Sequence, residues 1–391
     1  MKRALTIASV LLCLAGAPAF AQSVLAKADT LFQAGSFREA EAAYLDALRG
    51  EPSNAHAALQ LARLELYRNE LGAAKRDYAA AARLPGADNA RIQRDLATIA
   101  QREAVANAGA SVSLPAGGLA IPMLALDPLP LFSVTVNGHL GHFLLDTGAP
   151  DLVVDSDFAK EIGLQTTALG EGIFAGGKRA QIARATVAEF SLGSVVMHDL
   201  DADVSPTRPV QLFDTPVDGI IGTVFLEHFL STIDYPRHRL VLRPRAQSHA
   251  FEAALPQTAV LANLYLVGDH FLFSHGTIND LRGQTLLLDS GLAGGGFTAD
   301  KPTLDAAHIA LDTEHAERGM GGGGAVQAIP FVVDKLCVGV ACQRNIRGLF
   351  TPEGSAMGIF PFTVGGTVSH QFLERYAVTF DFDAMRVALV P

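Results

Sequence analysis

Two short runs in this chain end in the same way. Phe143-Leu144-Leu145-Asp146-Thr147-Gly148 and Leu286-Leu287-Leu288-Asp289-Ser290-Gly291 each lead an apolar stretch into an aspartate, a hydroxyl residue and a glycine. The apolar stretch reads as a buried strand. Gly148 and Gly291 allow the tight turn that follows and leave an amide N–H free to bond the carboxylate. Such a turn can aim a carboxylate out of a sheet into a cleft, and two such turns can aim two carboxylates at each other. Carboxylates about 3 Å apart cannot both ionise comfortably, so they share one proton. The ionised one can accept a proton from an attacking water while the protonated one donates to an amide carbonyl oxygen. Asp146 and Asp289 are the candidate catalytic pair for this chemistry, which needs no metal, no cofactor and no covalent intermediate. They would titrate as one coupled dyad, so acid and base roles are not divided between them.

A single Asp-[Thr/Ser]-Gly triplet is a weak signal; its repeated surroundings make it a strong one. Thr135-Val136-Asn137-Gly138-His139-Leu140-Gly141 precedes the first copy, and Thr277-Ile278-Asn279-Asp280-Leu281-Arg282-Gly283 precedes the second. Downstream, Glu171, Gly176, Gly177, Gln181, Val187 and Gly193 recur as Glu317, Gly322, Gly323, Gln327, Val333 and Gly339. Phe225-Leu226-Glu227-His228-Phe229 recurs as Phe372-Leu373-Glu374-Arg375-Tyr376, and Thr232-Ile233-Asp234-Tyr235 as Thr379-Phe380-Asp381-Phe382. The spacing drifts by only a few residues along this series, which marks an internal duplication of a lobe.

On these motifs the chain resembles a two-lobed, pepsin-like aspartic protease over about residues 130–391. The Asp146-Thr147-Gly148-Ala149 form is similar to retropepsin-like members, in which Ala commonly follows the triplet. The resemblance implies a duplicated all-β two-lobed acid-protease barrel fold and an aspartic endopeptidase acting on a peptide or protein substrate. It implies that Thr147 and Ser290 cross-brace the two loops. It also implies a hydrophobic-hydrophobic-Gly element late in each lobe; Ile220-Ile221-Gly222 fits it in lobe 1, and lobe 2 offers the looser Phe362-Thr363-Val364-Gly365-Gly366. A substrate-covering flap is expected between the aspartate and that element. The lobe 1 candidate holds Phe174, Gly176 and Gly177, and the lobe 2 candidate Met320, Gly322 and Gly323. Glycine runs permit opening and let backbone groups pair with an extended peptide. Neither tip carries the Tyr of pepsin-like flaps, and Phe174 or Met320 is the side chain available to fill that space.

One departure separates the copies. Lobe 1 continues from Asp151 into Leu152-Val153-Val154, good strand residues. Lobe 2 continues Leu292-Ala293-Gly294-Gly295-Gly296-Phe297, and three consecutive glycines weaken a strand. Asp289 is therefore expected to be less firmly placed than Asp146. The competing reading is a catalytically lapsed protease-fold scaffold that binds peptides.

The remaining sequence sets the context. Lys2 and Arg3, the apolar run Ala4 to Ala15 and Ala19-Phe20-Ala21 read as a signal peptide over residues 1–21, cleaved after Ala21, which predicts a periplasmic or secreted protein. The run is too short for a membrane span. A formal net charge of −10, more negative once Lys2 and Arg3 are removed, disfavours nucleic acid and anionic membrane surfaces as partners. Residues 22–107 are Ala-rich and helical in period. Gly35, Phe37, Ala40, Tyr44, Ala47, Leu48 and Pro52 fall where a tetratricopeptide-like repeat places its packing residues, and Asn69, Leu71, Ala74, Tyr78, Ala81 and Ala82 follow 34 positions later. Such an all-α module is expected to bind a protein partner. Residues 108–129, rich in Gly and Pro, read as a linker; 130–245 is lobe 1 and 246–391 lobe 2. Cys337 and Cys342 flank Val338-Gly339-Val340-Ala341, a hairpin tip, and an oxidising compartment would join them as a disulfide. Their spacing is wrong for a redox pair. The twelve His show no pairing at metal-ligand spacing, so no metal is expected. Both aspartates lie on one chain, so a monomer suffices.

Overall fold

A computed structural model describes residues 16–391, apart from 110–113, 116, 174–178, 209–211, 322–323 and 353–355. Five helices come first: α1 (Gly16–Gln33), α2 (Phe37–Gly50), α3 (Ala55–Tyr67), α4 (Leu71–Ala81) and α5 (Asn89–Gly109). The chain divides into two compact units, one of residues 16–65 and 72–96 and one of 66–71 and 97–391. None of the described helices is long and apolar enough to cross a membrane.

In the helical unit the small residues Ala40 and Ala74 and the large Tyr44 and Tyr78 are all fully buried, each pair 34 positions apart. Alanines let the helices approach, and the tyrosines fill the space beside them. Each ring buries its apolar body and still satisfies its hydroxyl: Tyr44 Oη donates to Asp29 at 2.6 Å and Tyr78 Oη to Asp95 at 2.8 Å.

The second unit is built from strands. Lobe 1 holds β1 (Leu119–Pro122), β2 (Leu131–Val136), β3 (His139–Leu145), β4 (Leu152–Asp155), α6 (Ser156–Glu161), β5 (Thr167–Ile173), β6 (Arg179–Leu192), β7 (Val195–Ser205), β8 (Gly219–Ile221), α7 (Thr223–Glu227), β9 (Leu230–Asp234) and β10 (Arg239–Arg243). After α8 (Ser248–Ala253), lobe 2 holds β11 (Val260–Asn263), β12 (Tyr265–Val267), β13 (Phe271–Ile278), β14 (Leu281–Leu288), β15 (Phe297–Thr298), α9 (Lys301–Ala306), β16 (Glu317–Gly321), β17 (Gly324–Val338), β18 (Ala341–Phe350), β19 (Gly366–Val368), α10 (His370–Leu373), β20 (Ala377–Asp381) and β21 (Arg386–Val390).

The duplication is visible as one topology used twice. Lobe 1 orders its sheet β2-β3-β8-β4-β7-β6-β5, and lobe 2 orders its own β13-β14-β19-β15-β18-β17-β16, with β12 added at the near edge. A third sheet, β1-β10-β9-β20-β21-β11, takes three strands from each lobe. Its centre is the antiparallel pair β9–β20, in which Thr232 stands opposite Thr379 and their hydroxyl oxygens lie 2.8 Å apart. These two threonines are the same residue of the two copies, so a local two-fold axis passes between them. One buried apolar cluster then runs through both lobes, from Phe132, Phe143 and Phe190 to Phe297, Phe331 and Phe372.

Two expectations about boundaries change. The stretch read as a linker contains β1, paired antiparallel with β10 from Leu119↔Leu242 to Pro122↔Arg239. Its composition lacks a strand period because its order comes from a partner more than a hundred residues away. Residues 97–109, more than half of α5, and the segment 66–71 belong with the strands rather than with the other helices. Fully buried Arg102 explains this: it donates to Leu66 O at 2.9 Å, Leu266 O at 3.1 Å and Gly268 O at 3.0 Å. Asn69 likewise donates to the buried Glu227 Oε1 at 3.1 Å.

Gly219 opens β8 at a point where neighbouring strands pack closely. A Cβ there would lie 2.2 Å from Val153 O and 2.3 Å from a Phe143 ring carbon. Gly219→Ala is expected to overpack this site and cost about 1–3 kcal/mol or more. Urea denaturation measures the cost; an unchanged midpoint would show that the strands have room to part.

Candidate active site

Each lobe delivers its aspartate by the same device. β3 runs parallel to β8, with Leu144 opposite Ile220 and Leu145 opposite Ile221; β14 runs parallel to β19, with Leu287 opposite Thr367 and Leu288 opposite Val368. The chain leaves β3 and β14 at the aspartates. Their backbone N–H groups remain tied to the neighbouring strand, Asp146 N to Ile221 O at 3.0 Å and Asp289 N to Val368 O at 2.9 Å. Direction comes from the strand and the last hydrogen bond, so the side chains have no choice but to leave at the sheet's end.

The two triplets meet across the local two-fold. Thr147 N donates to Ser290 Oγ at 3.0 Å, and Ser290 N to Thr147 Oγ1 at 2.9 Å. Each hydroxyl passes its own proton through to the opposite lobe, Thr147 Oγ1 to Leu288 O at 2.8 Å and Ser290 Oγ to Leu145 O at 3.0 Å. Thr147 and Ser290 are fully buried, so these four bonds operate away from competing water.

Above this lattice the carboxylates share a hydrogen bond. Each also accepts an N–H from its own glycine, Gly148 N to Asp146 Oδ1 at 2.7 Å and Gly291 N to Asp289 Oδ1 at 2.8 Å. The glycines are required for a second reason. A Cβ on Gly291 would lie 2.1 Å from Asp146 Cγ, and one on Gly148 would lie 2.5 Å from Asp289 Cγ. Each glycine thus makes room for the other lobe's aspartate. Both aspartates are half-buried, enclosed by protein yet open on one side.

That enclosure decides their protonation. Burial raises Asp146 above the ordinary carboxylate range, partly offset by its hydrogen bonds from Asp289, Gly148 and Ala149. Burial raises Asp289 well above that range, and the neighbouring Asp146 charge and hydrogen bond push it further. The pair therefore holds one proton over a pH range where an isolated aspartate holds none.

The hydrophobic-hydrophobic-Gly element of lobe 2 is not the Phe362–Gly366 stretch. Register places Thr367-Val368-Ser369 on Ile220-Ile221-Gly222, so the glycine position is Ser369. The exchange has a physical reason. In lobe 1 a Cβ on Gly222 would lie within 2.6 Å of three carbonyl oxygens, those of Ala149, Pro150 and Asp151. In lobe 2 the glycine run occupies that wall, and Ser369 Oγ donates to Gly295 O at 2.6 Å. Ser369 N donates to Gly296 O and Gly296 N to Arg347 O. The run that weakens a strand does shorten it: β15 has 2 residues against 4 in β4. It is nevertheless bonded along its length, and Asp289 keeps the backbone bond to the neighbouring strand and the glycine N–H that Asp146 has. Applying the repeat spacing of the Phe225/Phe372 blocks to Gly222 would have found Ser369.

Of the flap residues, Phe174, Gly176, Gly177, Gly322 and Gly323 lie outside the described residues. Met320 is on β16, its backbone opposite Ala325 of β17. The hairpins that carry both candidate tips are formed, β5–β6 to Ile173↔Arg179 and β16–β17 to Gly321↔Gly324. Cys337 and Cys342 face each other at the end of the β17–β18 hairpin and are joined as a disulfide. Among the described residues no three His, Cys, Asp or Glu side chains gather as a metal cluster.

Comparison with a protein-family model agrees with the β-stranded architecture. A sequence model described as aspartyl protease matches residues 132–225. Among solved structures, a retropepsin-like aspartic protease from Rickettsia conorii is 22% identical, with 33% of this chain and 100% of that chain covered and a TM-score of 0.26. Basic 7S globulin from soybean is 10% identical over 71% of this chain and 97% of that one, with a TM-score of 0.39. Conglutin gamma, a basic 7S globulin from lupine seeds, is 12% identical over 70% and 94%, also with a TM-score of 0.39. No curated protein matches the sequence. The β-stranded unit has an aspartic-protease-like fold.

The raised Asp289 gives a stability test. Below the pKa of an unfolded aspartate both states hold the proton, and the shift contributes no difference. As pH rises the unfolded chain ionises first, so folding stability falls until the folded pair also ionises. Asp289→Asn removes this loss. Its melting temperature relative to wild type is expected to be more favourable near about pH 7 than near about pH 3; parallel melting curves at the two pH values would sink the argument.

Proposed function

We propose that the chain is an exported aspartic endopeptidase that hydrolyses peptide bonds with water activated between Asp146 and Asp289. The observation that carries this reading is the mutual fit of the two triplets, in which each glycine vacates the volume that the opposing carboxylate fills. An inert duplication has no need of that clearance. A water seated between the carboxylates would give its proton to the ionised oxygen as its own oxygen attacks the amide carbon. The protonated carboxyl would donate to the carbonyl oxygen, giving a neutral tetrahedral diol. Collapse returns the protons in the opposite sense, with the amide nitrogen protonated as the C–N bond breaks. Preorganisation comes from the Thr147/Ser290 lattice, which holds both carboxylates before substrate arrives.

Around this centre the β5–β6 and β16–β17 hairpins are proposed as the flaps, with Phe174, Gly176, Gly177, Met320, Gly322 and Gly323 meeting an extended peptide. The helical unit is proposed as a tetratricopeptide-like module that binds a partner or delivers substrate. Residues 1–21 would direct export to the periplasm or exterior and be cleaved after Ala21. With both aspartates on one chain, a monomer is catalytically complete.

A second reading, a lapsed peptide-binding scaffold, draws on the shortened β15 and on Ser369 in place of a glycine. One experiment separates the two. Mass-spectrometric scanning of peptide-library cleavage from about pH 3 to about 8 would compare wild type with Asp146→Asn and Asp289→Asn. Cleavage is expected from wild type and should fall roughly 10³-fold or more in either variant. Its kcat/KM should follow a bell in pH whose alkaline limb lies above the ordinary aspartate range. Binding of peptides by wild type without cleavage at any pH would favour the scaffold.

A further inference from the structure

One carboxylate outside the dyad is fully buried, and the proposed reaction does not use it. Glu227 closes α7, the helix that starts at Thr223 directly after the Ile220-Ile221-Gly222 element. A charge buried this completely needs partners, and two other stretches of chain supply them. His270, buried in the turn between β12 and β13, places Nε2 2.6 Å from Glu227 Oε2. Asn69, in the turn between α3 and α4, donates through Nδ2 to Glu227 Oε1 at 3.1 Å and to Phe382 O at 3.3 Å. Arg245 Nη1 donates to the backbone carbonyl of Glu227 at 3.1 Å. Burial alone would push the carboxyl up; the hydrogen bond of His270 and the charges of His270, Arg102 and Arg245 outweigh it and hold the group below its ordinary range. An ionised carboxylate only accepts, so His270 Nε2 carries the proton between them.

Neither the helical repeat nor the lobe duplication demands this arrangement. The duplication repeats Glu227 as Glu374, which is exposed. The repeat places Gly35 where Asn69 stands, and both have left-handed backbones, with φ of 73° and 56°. His270 is left-handed too, with φ of 71°. Glycine suits such a backbone best. At Asn69 and His270 a side chain is kept against that preference, and what the two side chains share is Glu227.

The other end of α7 meets the turn that carries the first aspartate. Thr223 N donates to Ala149 O at 3.0 Å and Val224 N to Pro150 O at 2.9 Å. Ala149 N closes back on Asp146 O at 3.3 Å. Thr223 Oγ1 donates to His270 O at 2.8 Å. His270 therefore holds α7 at both ends, through its ring at Glu227 and through its carbonyl at Thr223. With 5 residues, α7 has too few internal bonds to place itself.

We propose that Glu227 is a positioning residue: clasped by Asn69 and His270, it fixes α7, and α7 fixes the outgoing side of the turn that carries Asp146. The inference deepens the protease reading and rests on it for its functional meaning. It makes the α3–α4 turn part of what holds one aspartate of the pair and not the other.

The test uses two substitutions that suit their own backbones. Asn69→Gly changes no charge, and His270→Gly keeps the carbonyl that Thr223 uses. Glu227→Gln, which keeps shape and hydrogen-bonding reach, is the conservative control. Amide hydrogen exchange of the full-length chain would be followed by NMR. Protection of the Thr223 and Val224 amides is expected to fall about tenfold or more in both glycine variants and by less in Glu227→Gln. The Ser369 and Gly296 amides, which bond the corresponding wall of lobe 2, should keep theirs. In peptide cleavage kcat should fall while KM changes by less than about twofold. Unchanged exchange at Thr223 and Val224, or an equal loss of protection in both lobes, would overturn the proposal and leave Glu227 as a buried ion pair of general stability. Exchange reads the turn whether or not the protein cleaves peptides. A failure of the protease reading is therefore distinguishable from a failure of this one.

Discussion

Two like-charged groups held within one hydrogen bond of each other are the constraint on which this structure turns. Left free, Asp146 and Asp289 would separate and each take its own water. The fold denies them this by fixing both backbones from below through the Thr147/Ser290 lattice and from behind through β8 and β19. What remains is to share a proton, and burial makes the shared proton hard to remove. The reactive feature is thus a consequence of backbone hydrogen bonds that carry no charge. The lobes do not create a dyad by attracting the aspartates to each other; they prevent the aspartates from leaving.

The shared sheet supplies the rigidity for this. Six strands, three from each lobe, are paired through β9 and β20, with Thr232 and Thr379 touching at the axis. Any rotation of one lobe against the other would break this ladder and part the continuous core beneath it. β1 joins the same sheet as the first strand of lobe 1, ahead of β2, and β11 is its counterpart at the start of lobe 2, ahead of β13. The duplicated unit therefore begins at β1, ahead of the strand pair that carries the first aspartate.

How much of this was legible depends on where each residue's partner lies. The aspartates, their hydroxyl neighbours and glycines were readable because the motif is local and occurs twice. The β9–β10 strand, turn and strand, and the Cys337/Cys342 hairpin, were readable for the same reason. β1 was not, because Leu119-Ala120-Ile121-Pro122 is too short to show a period and becomes a strand only by lying beside β10. The place of Arg102 was hidden too: an arginine in a helical period reads as surface, yet it is buried on the carbonyls of Leu66, Leu266 and Gly268. Ser369 was missed because the search was for a glycine, a residue type, when the structure needs only clearance. Lobe 1 obtains clearance with Gly222, and lobe 2 with Gly294-Gly295-Gly296 on the opposite wall.

That exchange shows what duplication within one chain permits. In a symmetric dimer every substitution appears on both sides of the axis, so a serine at the glycine position would have to be tolerated twice. Here the halves are separate stretches of sequence and can drift in complementary ways. Gly222 against Ser369, Thr223 against His370 and Tyr235 against Phe382 are equivalent positions of the two copies, and all differ. The triplets themselves differ only as Thr147 does from Ser290, which preserves every bond of the lattice. Symmetry is kept where two backbones must meet and is relaxed beyond them, where one side chain can replace another. A water and a peptide bond are not symmetric, and a cleft that treats its two carboxylates unequally is better matched to a reaction in which one must accept a proton while the other gives one.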